Sequence, residues 1–425
     1  MKNLRWMMAM TVAGMFLFSA CSSDDDNSSE EPKEDVFSEL TPEEHKVKLE
    51  DEGIKFVDNM SAAANLKAFD VIDTFFGLTN PFEGDDNAIA MVLHEVESLK
   101  NGPKSIDLKT LVEEEPNFSL SGAFAEQAGI YTWDAALNDW TKEAADDQIT
   151  IKFTTEGEKA AIISLSNFDY QLTTNPDLQG MELPKSVELS LTLEGTQLIG
   201  FSFEGQYYDN DTPKFLQEIF TLEGFNLTAT LDLTDKTVFD ASSSFKYDET
   251  TIYANGLKLK GNIDYTEIKN EIDKAEEGFP TDQKILSETN AYFQIGNIKA
   301  DMLMDVDSMM IFMKNNVPAG EKMNDGQAVE MLNQHAKVYL RYADSKEIIA
   351  YGEFYLKPIT ETYWNGQEKI EETYFETSMR VIFSDTTALD ESVYFDNGFS
   401  KMIEKINEMI LTMNENYDME LEGIE

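Results

Sequence analysis

This 425-residue chain holds a single cysteine, three histidines and four tryptophans, and only 33 Lys and Arg against 81 Asp and Glu. Each scarcity removes a class of function. One cysteine permits no disulfide framework and no thiolate zinc site, so burial of apolar surface must hold the fold. A formal net charge of −48 repels phosphate, which excludes nucleic acid as the main partner and disfavours adhesion to anionic lipid headgroups. His45, His94 and His335 form no His-Glu-x-x-His pair. A Gly-x-Ser-x-Gly elbow, a phosphate-cradling glycine loop and a dinucleotide fingerprint are all missing from the sequence. After the first twenty residues, no stretch has the apolar length of a membrane-spanning helix. No catalytic residue is assigned, the reading is non-enzymatic, and no cofactor is expected.

What is present begins at the N-terminus. Lys2 and Arg5 precede an apolar run from Trp6 to Ala20, too short to span a bilayer, and the lone Cys21 follows small residues at a signal-type cut. Residues 1–20 therefore read as a signal peptide. Residues 21–40 open with a stretch, Ser22 to Asp35, that has nothing apolar to bury and reads as an acidic tether.

Phe18-Ser19-Ala20-Cys21 resembles the bacterial lipobox, with Phe18 where leucine is usual. The resemblance implies a diacylglycerol thioether on Cys21 and an acyl group on its new amino terminus; several acyl chains anchor a protein where one would not. Cys21-Ser22-Ser23-Asp24-Asp25-Asp26 is similar to the acidic export signal of Bacteroidetes lipoproteins, which implies an outer-membrane anchor facing the cell exterior. The segment Gly129-Ile130-Tyr131-Thr132-Trp133-Asp134, with Trp140 and Asp147 to Phe153, resembles a hairpin signature of large Bacteroidetes surface lipoproteins, and it carries no activity with it.

Periodicity sets the fold class. Thr41-Pro42-Glu43-Glu44 is a capping box with proline at the first helical position, and it predicts a helix from Pro42 past Met60. Ile89, Val92, Leu93, Val96 and Leu99 predict a second helix over Ala88 to Lys100, with His94 on its outer side. From about Leu120 the period becomes 2. Val187, Leu189, Leu191 and Leu193, then Ile199, Phe201 and Phe203, then the runs at 227–233, 239–245 and 257–263, predict five antiparallel strands with one buried face. Ile298, Ala300, Met302, Met304 and Val306 alternate as another strand, and Asn365-Gly366 marks a two-residue hairpin turn. Phe399 to Met413 close the chain as an amphipathic helix.

The expectation is α+β: antiparallel β-meanders packed with N-terminal, central and C-terminal helices in two lobes, 41–278 and 279–425, divided at Gly278-Phe279-Pro280. Trp133, Trp140 and Trp364, in or beside hairpins, are candidate platforms for a sugar ring, although cross-strand packing is the more frequent role of such residues. Asp85 and Asp86, and Asp209 and Asp211, place hard oxygen ligands in loops and are weak calcium candidates; turn formation is the competing role. Crowded methionines such as Met302 and Met309 read as core filling.

The function expected from these features is a lipid-anchored surface binding or accessory module, with a glycan, host polymer or protein as partner. Two alternatives stand beside it. A lipid carrier would leave an apolar hollow open beside Phe201, Phe203 and Leu231, and a glycosidase would need two facing carboxylates across a cleft.

Overall fold

The computed structural model describes residues 36–82, 120–174, 182–262, 286–318, 322–364, 369–390 and 400–417. The expected signal, residues 21–35 of the expected tether with Cys21, the expected helix at 88–100 with His94, and Asp85, Asp86 and the 278 boundary lie outside them; the last part of that tether is ordered instead, Phe37 bridging Ile348 and Ser38 buried.

The strands are β1 Gly129–Asp134, β2 Asp139–Glu143, β3 Gln148–Thr154, β4 Ala160–Leu172, β5 Glu182–Leu193, β6 Thr196–Tyr207, β7 Pro213–Leu222 and β8 Phe225–Asp232. They continue as β9 Val238–Tyr247, β10 Thr250–Gly261, β11 Leu286–Ile295, β12 Ile298–Asp305, β13 Ala336–Tyr342, β14 Ile348–Trp364, β15 Lys369–Phe383 and β16 Ala388–Asp390. The helices are α1 Pro42–Met60, α2 Lys67–Phe76, α3 Leu120–Gln127, α4 Val306–Asn316, α5 Asp325–His335 and α6 Ser400–Tyr417, with a 3₁₀ turn Ser61–Asn65 after α1. Mixed helices and antiparallel strands make the class α+β, as the periodicity predicts.

All sixteen strands belong to one sheet, and from β3 to β16 each pairs antiparallel with its neighbour in sequence. β10 pairs with β11 through Gly256↔Tyr292 and Leu257↔Ala291, so one ladder runs across the expected boundary. Among the described strands the one parallel pair is β1 with β3. A parallel neighbour requires a crossover, and here β2 provides it by folding back on β1 as the outermost strand.

Several local expectations change. Val306 does not continue β12 but begins α4, because Asp305 caps that helix, its side chain accepting from the Ser308 N–H. Leu120 opens a helix rather than a strand. Trp364 pairs with Lys369 at the end of the described hairpin, and the expected Asn365-Gly366 turn lies outside the described residues.

The sheet buries one face under helices. α1 begins as the sequence predicts, with Thr41 and Glu44 capping each other. Its Leu49 packs with Tyr342, Ile349, Ala350, Val381 and Phe383, and Phe56 and Met60 reach a larger cluster under the first half of the sheet. There α2 inserts Phe69, Val71, Ile72 and Phe75 against Ile149, Ile151, Ile163, Leu191 and Ile199, all nearly or fully buried. Leu66 has no side chain to cap α2; Glu223 supplies the acceptor instead, taking the Ala68 N–H at 2.6 Å. A third cluster seats Met309, Phe312 and Met331 of α4 and α5 on Met304, Ala336 and Phe354. α6 packs on α1 where a side chain at Gly53 would overlap the Met402 sulphur.

Candidate functional site

Glu52, Lys55, Phe56 and Asn59 recur at helical spacing and share one face of α1. That face stands over the ends of β9, β10 and β11, and between them is a cleft of about 650 Å³. Thr250, Thr251, Gln294 and Asn297 bring neutral hydrogen-bonding groups to it, and Lys246 and Asp344 bring charge. The size falls within the range of small-molecule sites, about 300–1,000 Å³.

The wall is clamped in place by Glu52. One carboxylate oxygen lies 2.6 Å from the Lys55 ammonium, and the other accepts the Asn297 N–H at 3.2 Å. The same hydrogen bond and charge raise the Lys55 pKa. Asn297 in turn accepts the Asp344 N–H at its side-chain oxygen and the Ala343 N–H at its carbonyl. Gly296 turns with φ 53°, a left-handed conformation glycine adopts without strain, and Gln294 donates to its carbonyl at 2.8 Å. Two hairpin turns and a helix, far apart in sequence, thus form one hydrogen-bonded polar rim.

A smaller pit of about 310 Å³ lies on the sheet's other face over Gly200, bordered by Glu188, Ser190, Ser202 and Thr221. It exists because Gly200 lacks a side chain; a Cβ there would overlap the Gln197 amide and the Thr221 hydroxyl.

The helix-bearing face carries one polar group out of place. Register aligns Phe203 of β6, Glu218 of β7, Ala229 of β8, Ser243 of β9 and Asn255 of β10 in one row. Ser243 donates to Asn255 at 3.1 Å, and the Asn255 amide donates to the Tyr253 hydroxyl. Glu218 is 4% exposed, yet its Oε2 has no hydrogen-bond partner among the described residues. Burial pushes its pKa up to about 8, so it is largely a neutral acid at pH 7. Leu216 and Phe220, two residues along β7, lie on the same side. No second carboxylate occupies these neighbouring positions, so the paired acids of a glycosidase are not assembled around Glu218.

The residues singled out from sequence scatter. Trp133 and Trp140 are cross-strand partners packed edge to face, with centroids 5.1 Å apart, half-buried against the large core. The Trp140 indole N–H is already spent on the Thr79 carbonyl at 2.6 Å. Trp364, 69% exposed, lies at the far end of β14. Asp211 takes the Thr174 N–H at 2.6 Å and its hydroxyl at 3.0 Å, a turn-fixing role, and Asp209 offers its carbonyl to the same hydroxyl. Among the described residues no group of three or more His, Cys, Asp or Glu is placed to hold a metal. Nor is any described helix long and apolar enough to cross a membrane. His335 closes α5 beside Phe312, and His45 is buried against Tyr342. Sequence patterning singles out neither the cleft nor Glu218. No protein-family model, curated protein or solved structure matches this chain.

Proposed function

We propose that the chain is a non-enzymatic binding protein, tethered to the outer membrane through a lipid on Cys21 and facing outward, that holds a glycan segment in the cleft between α1 and β9–β11. The cleft carries the reading. Its amides and hydroxyls at Asn59, Thr250, Thr251, Gln294 and Asn297 are uncharged donors and acceptors, and Phe56 adds an apolar surface among them. Such a lining suits a neutral polyhydroxyl ligand, whose hydroxyls exchange water's hydrogen bonds for those of side chains. Binding asks for no bond to be broken. The net charge of −48 favours an uncharged ligand over an anionic one.

The same proposal reads the sheet as two lobes. What supports this is the distribution of apolar packing, with the largest cluster under β1 to β10 and two smaller ones under β12 to β15.

A glycan array probed with the full chain tests the reading, followed by titration of each hit against Thr250→Ala with Thr251→Ala. Retained glycans should lose at least ten-fold in affinity in the double variant. Absence of any glycan hit, or hits indifferent to these substitutions, would overturn it. Mass measurement of the mature N-terminal peptide tests the anchor: a diacylated Cys21 is expected, and an unmodified peptide removes it.

A further inference from the structure

A buried carboxyl without a partner is costly, and the strands around Glu218 supply none. An unpaired polar group out of water gives up the hydrogen bonds that water supplied and gains none in return. Its row neighbours Phe203 and Ala229 are apolar, as are Leu216 and Phe220 along its own strand. Ser243, two strands away, is about 10 Å distant at the usual strand spacing and is committed to Asn255. The small Ala229 between Glu218 and Ser243 is half-buried. Phe203, Leu216 and Leu231 on the same face are half-buried and, among the described residues, belong to none of the three apolar clusters.

We propose that Glu218 is the polar anchor of a second binding site, separate from the cleft, for the neutral ester or hydroxyl head of a single-chain acyl lipid, a monoacylglycerol, whose chain lies along Phe203, Leu216 and Leu231. The chemistry selects this ligand over its relatives. A protonated carboxyl offers one O–H donor and an acceptor, which match an ester carbonyl and a glycerol hydroxyl. A fatty-acid carboxylate or a phosphate head would bring negative charge beside a buried acid, in a chain that is already strongly acidic. The acyl chain answers the other requirement by covering leucine and phenylalanine surface that the described helices leave half-exposed.

Equilibrium binding of radiolabelled monoolein to the full chain, carrying Cys21→Ser so that no covalent lipid competes, tests the site. Saturable one-to-one binding is expected, with oleate and phosphatidylglycerol at least ten-fold weaker. Glu218→Leu should lose about ten-fold in affinity, the scale of one hydrogen bond, and Glu218→Gln, which keeps a donor and an acceptor, should stay within two-fold. Ala229→Phe, placing a ring beside the acid, should abolish binding. Circular dichroism melts on each variant separate loss of fold from loss of site, with Glu218→Gln as the folded reference. Absence of saturable monoolein binding overturns the proposal, as does a folded Glu218→Leu that binds as well as the parent. Preference for oleate or phosphatidylglycerol overturns the neutral-head assignment and with it the proposal. Glycan binding at the cleft is measured independently and does not move with any of these outcomes.

Discussion

His45 on α1 and Tyr342 on β13, 297 positions apart, join across the core with 2.8 Å between the imidazole Nδ1 and the phenol oxygen. The imidazole is 1% exposed and stacks on Phe383, with Lys48 standing over the Tyr342 ring. This contact fixes where the N-terminal helix meets the second half of the sheet. Burial, and then the Lys48 charge, hold the His45 pKa below its ordinary 6.5. The unfolded chain therefore takes up the proton at higher pH than the folded one. The contribution is complete above pH 6.5 and is lost as pH falls below it. Urea titrations of His45→Phe should show a flatter decline in stability between pH 7 and 5 than the parent, and Tyr342→Phe should cost about 1–2 kcal/mol at pH 7 by stranding the imidazole.

Glu218 titrates with the opposite sign. Its folded pKa, near 8, lies above the ordinary 4.5, so the folded chain keeps a proton that the unfolded chain releases. Stability from this group is whole below pH 4.5 and drains away as pH rises through about 8. Glu218→Gln removes the titration. The difference between variant and parent unfolding free energies should grow steadily from pH 5 to pH 8, with the variant ahead by about 1–3 kcal/mol at pH 9. A difference that does not change with pH would place Glu218 in contact with water.

Local chemistry makes part of this fold readable. Thr41 and Glu44 announce α1 because capping involves only neighbouring residues, and the leucines of β5 announce a strand because alternation is local too. β7 escapes that reading. Phe215 and Ile219 point one way and Leu216 and Phe220 the other, with Glu218 among the inward set, so the period is blurred on both faces. The glutamate that hides the strand is shown to point inward only by the register of β7 with β6 and β8, which no local pattern carries. α2 goes unpredicted although Ala68, Phe69, Ile72 and Phe75 recur at helical spacing, because it is short and lacks a capping side chain of its own. The cleft could not be read. Glu52, Asn297 and Asp344 meet only because the β11–β12 and β13–β14 turns emerge at the same end of the sheet beneath α1, and no local pattern encodes that meeting.

Tryptophan packing separates structural from displayed aromatics. Trp140 touches Trp133, leans on the main core and donates to Thr79. Trp140→Ala should destabilise the chain by about 2–4 kcal/mol, chiefly through lost apolar contact. Trp364→Ala removes a ring that is 69% exposed and should fall within about 0.5 kcal/mol of the parent. Guanidinium titrations followed by far-UV circular dichroism compare the two directly, and equal costs would contradict the packing described.

The hairpin of β14 and β15 outruns its neighbours. β13 pairs with β14 as far as Gly352, and β16 pairs with β15 from Ile382 to Arg380, whereas the two long strands stay paired with each other out to Trp364 and Lys369. Their outer parts form a two-stranded ribbon exposed on both faces, held by cross-strand contacts such as Thr360 with Thr373 and Tyr374 with Glu361, each 2.9 Å. Two-stranded ribbons are marginal in water and their edges invite pairing with other chains. Glu371, Glu372 and Glu376 along β15 are exposed and place negative charge beside that edge, where it repels a second copy of the same acidic strand. Replacing all three with threonine keeps strand propensity and removes the repulsion. Sedimentation velocity at 150 mM salt should then show concentration-dependent dimers or larger species in the variant and a smaller mass for the parent, while hydrogen exchange protects Ala350 and Val381 alike in both. An unchanged sedimentation profile would mean that the ribbon's own twist, rather than its charge, keeps the edges apart.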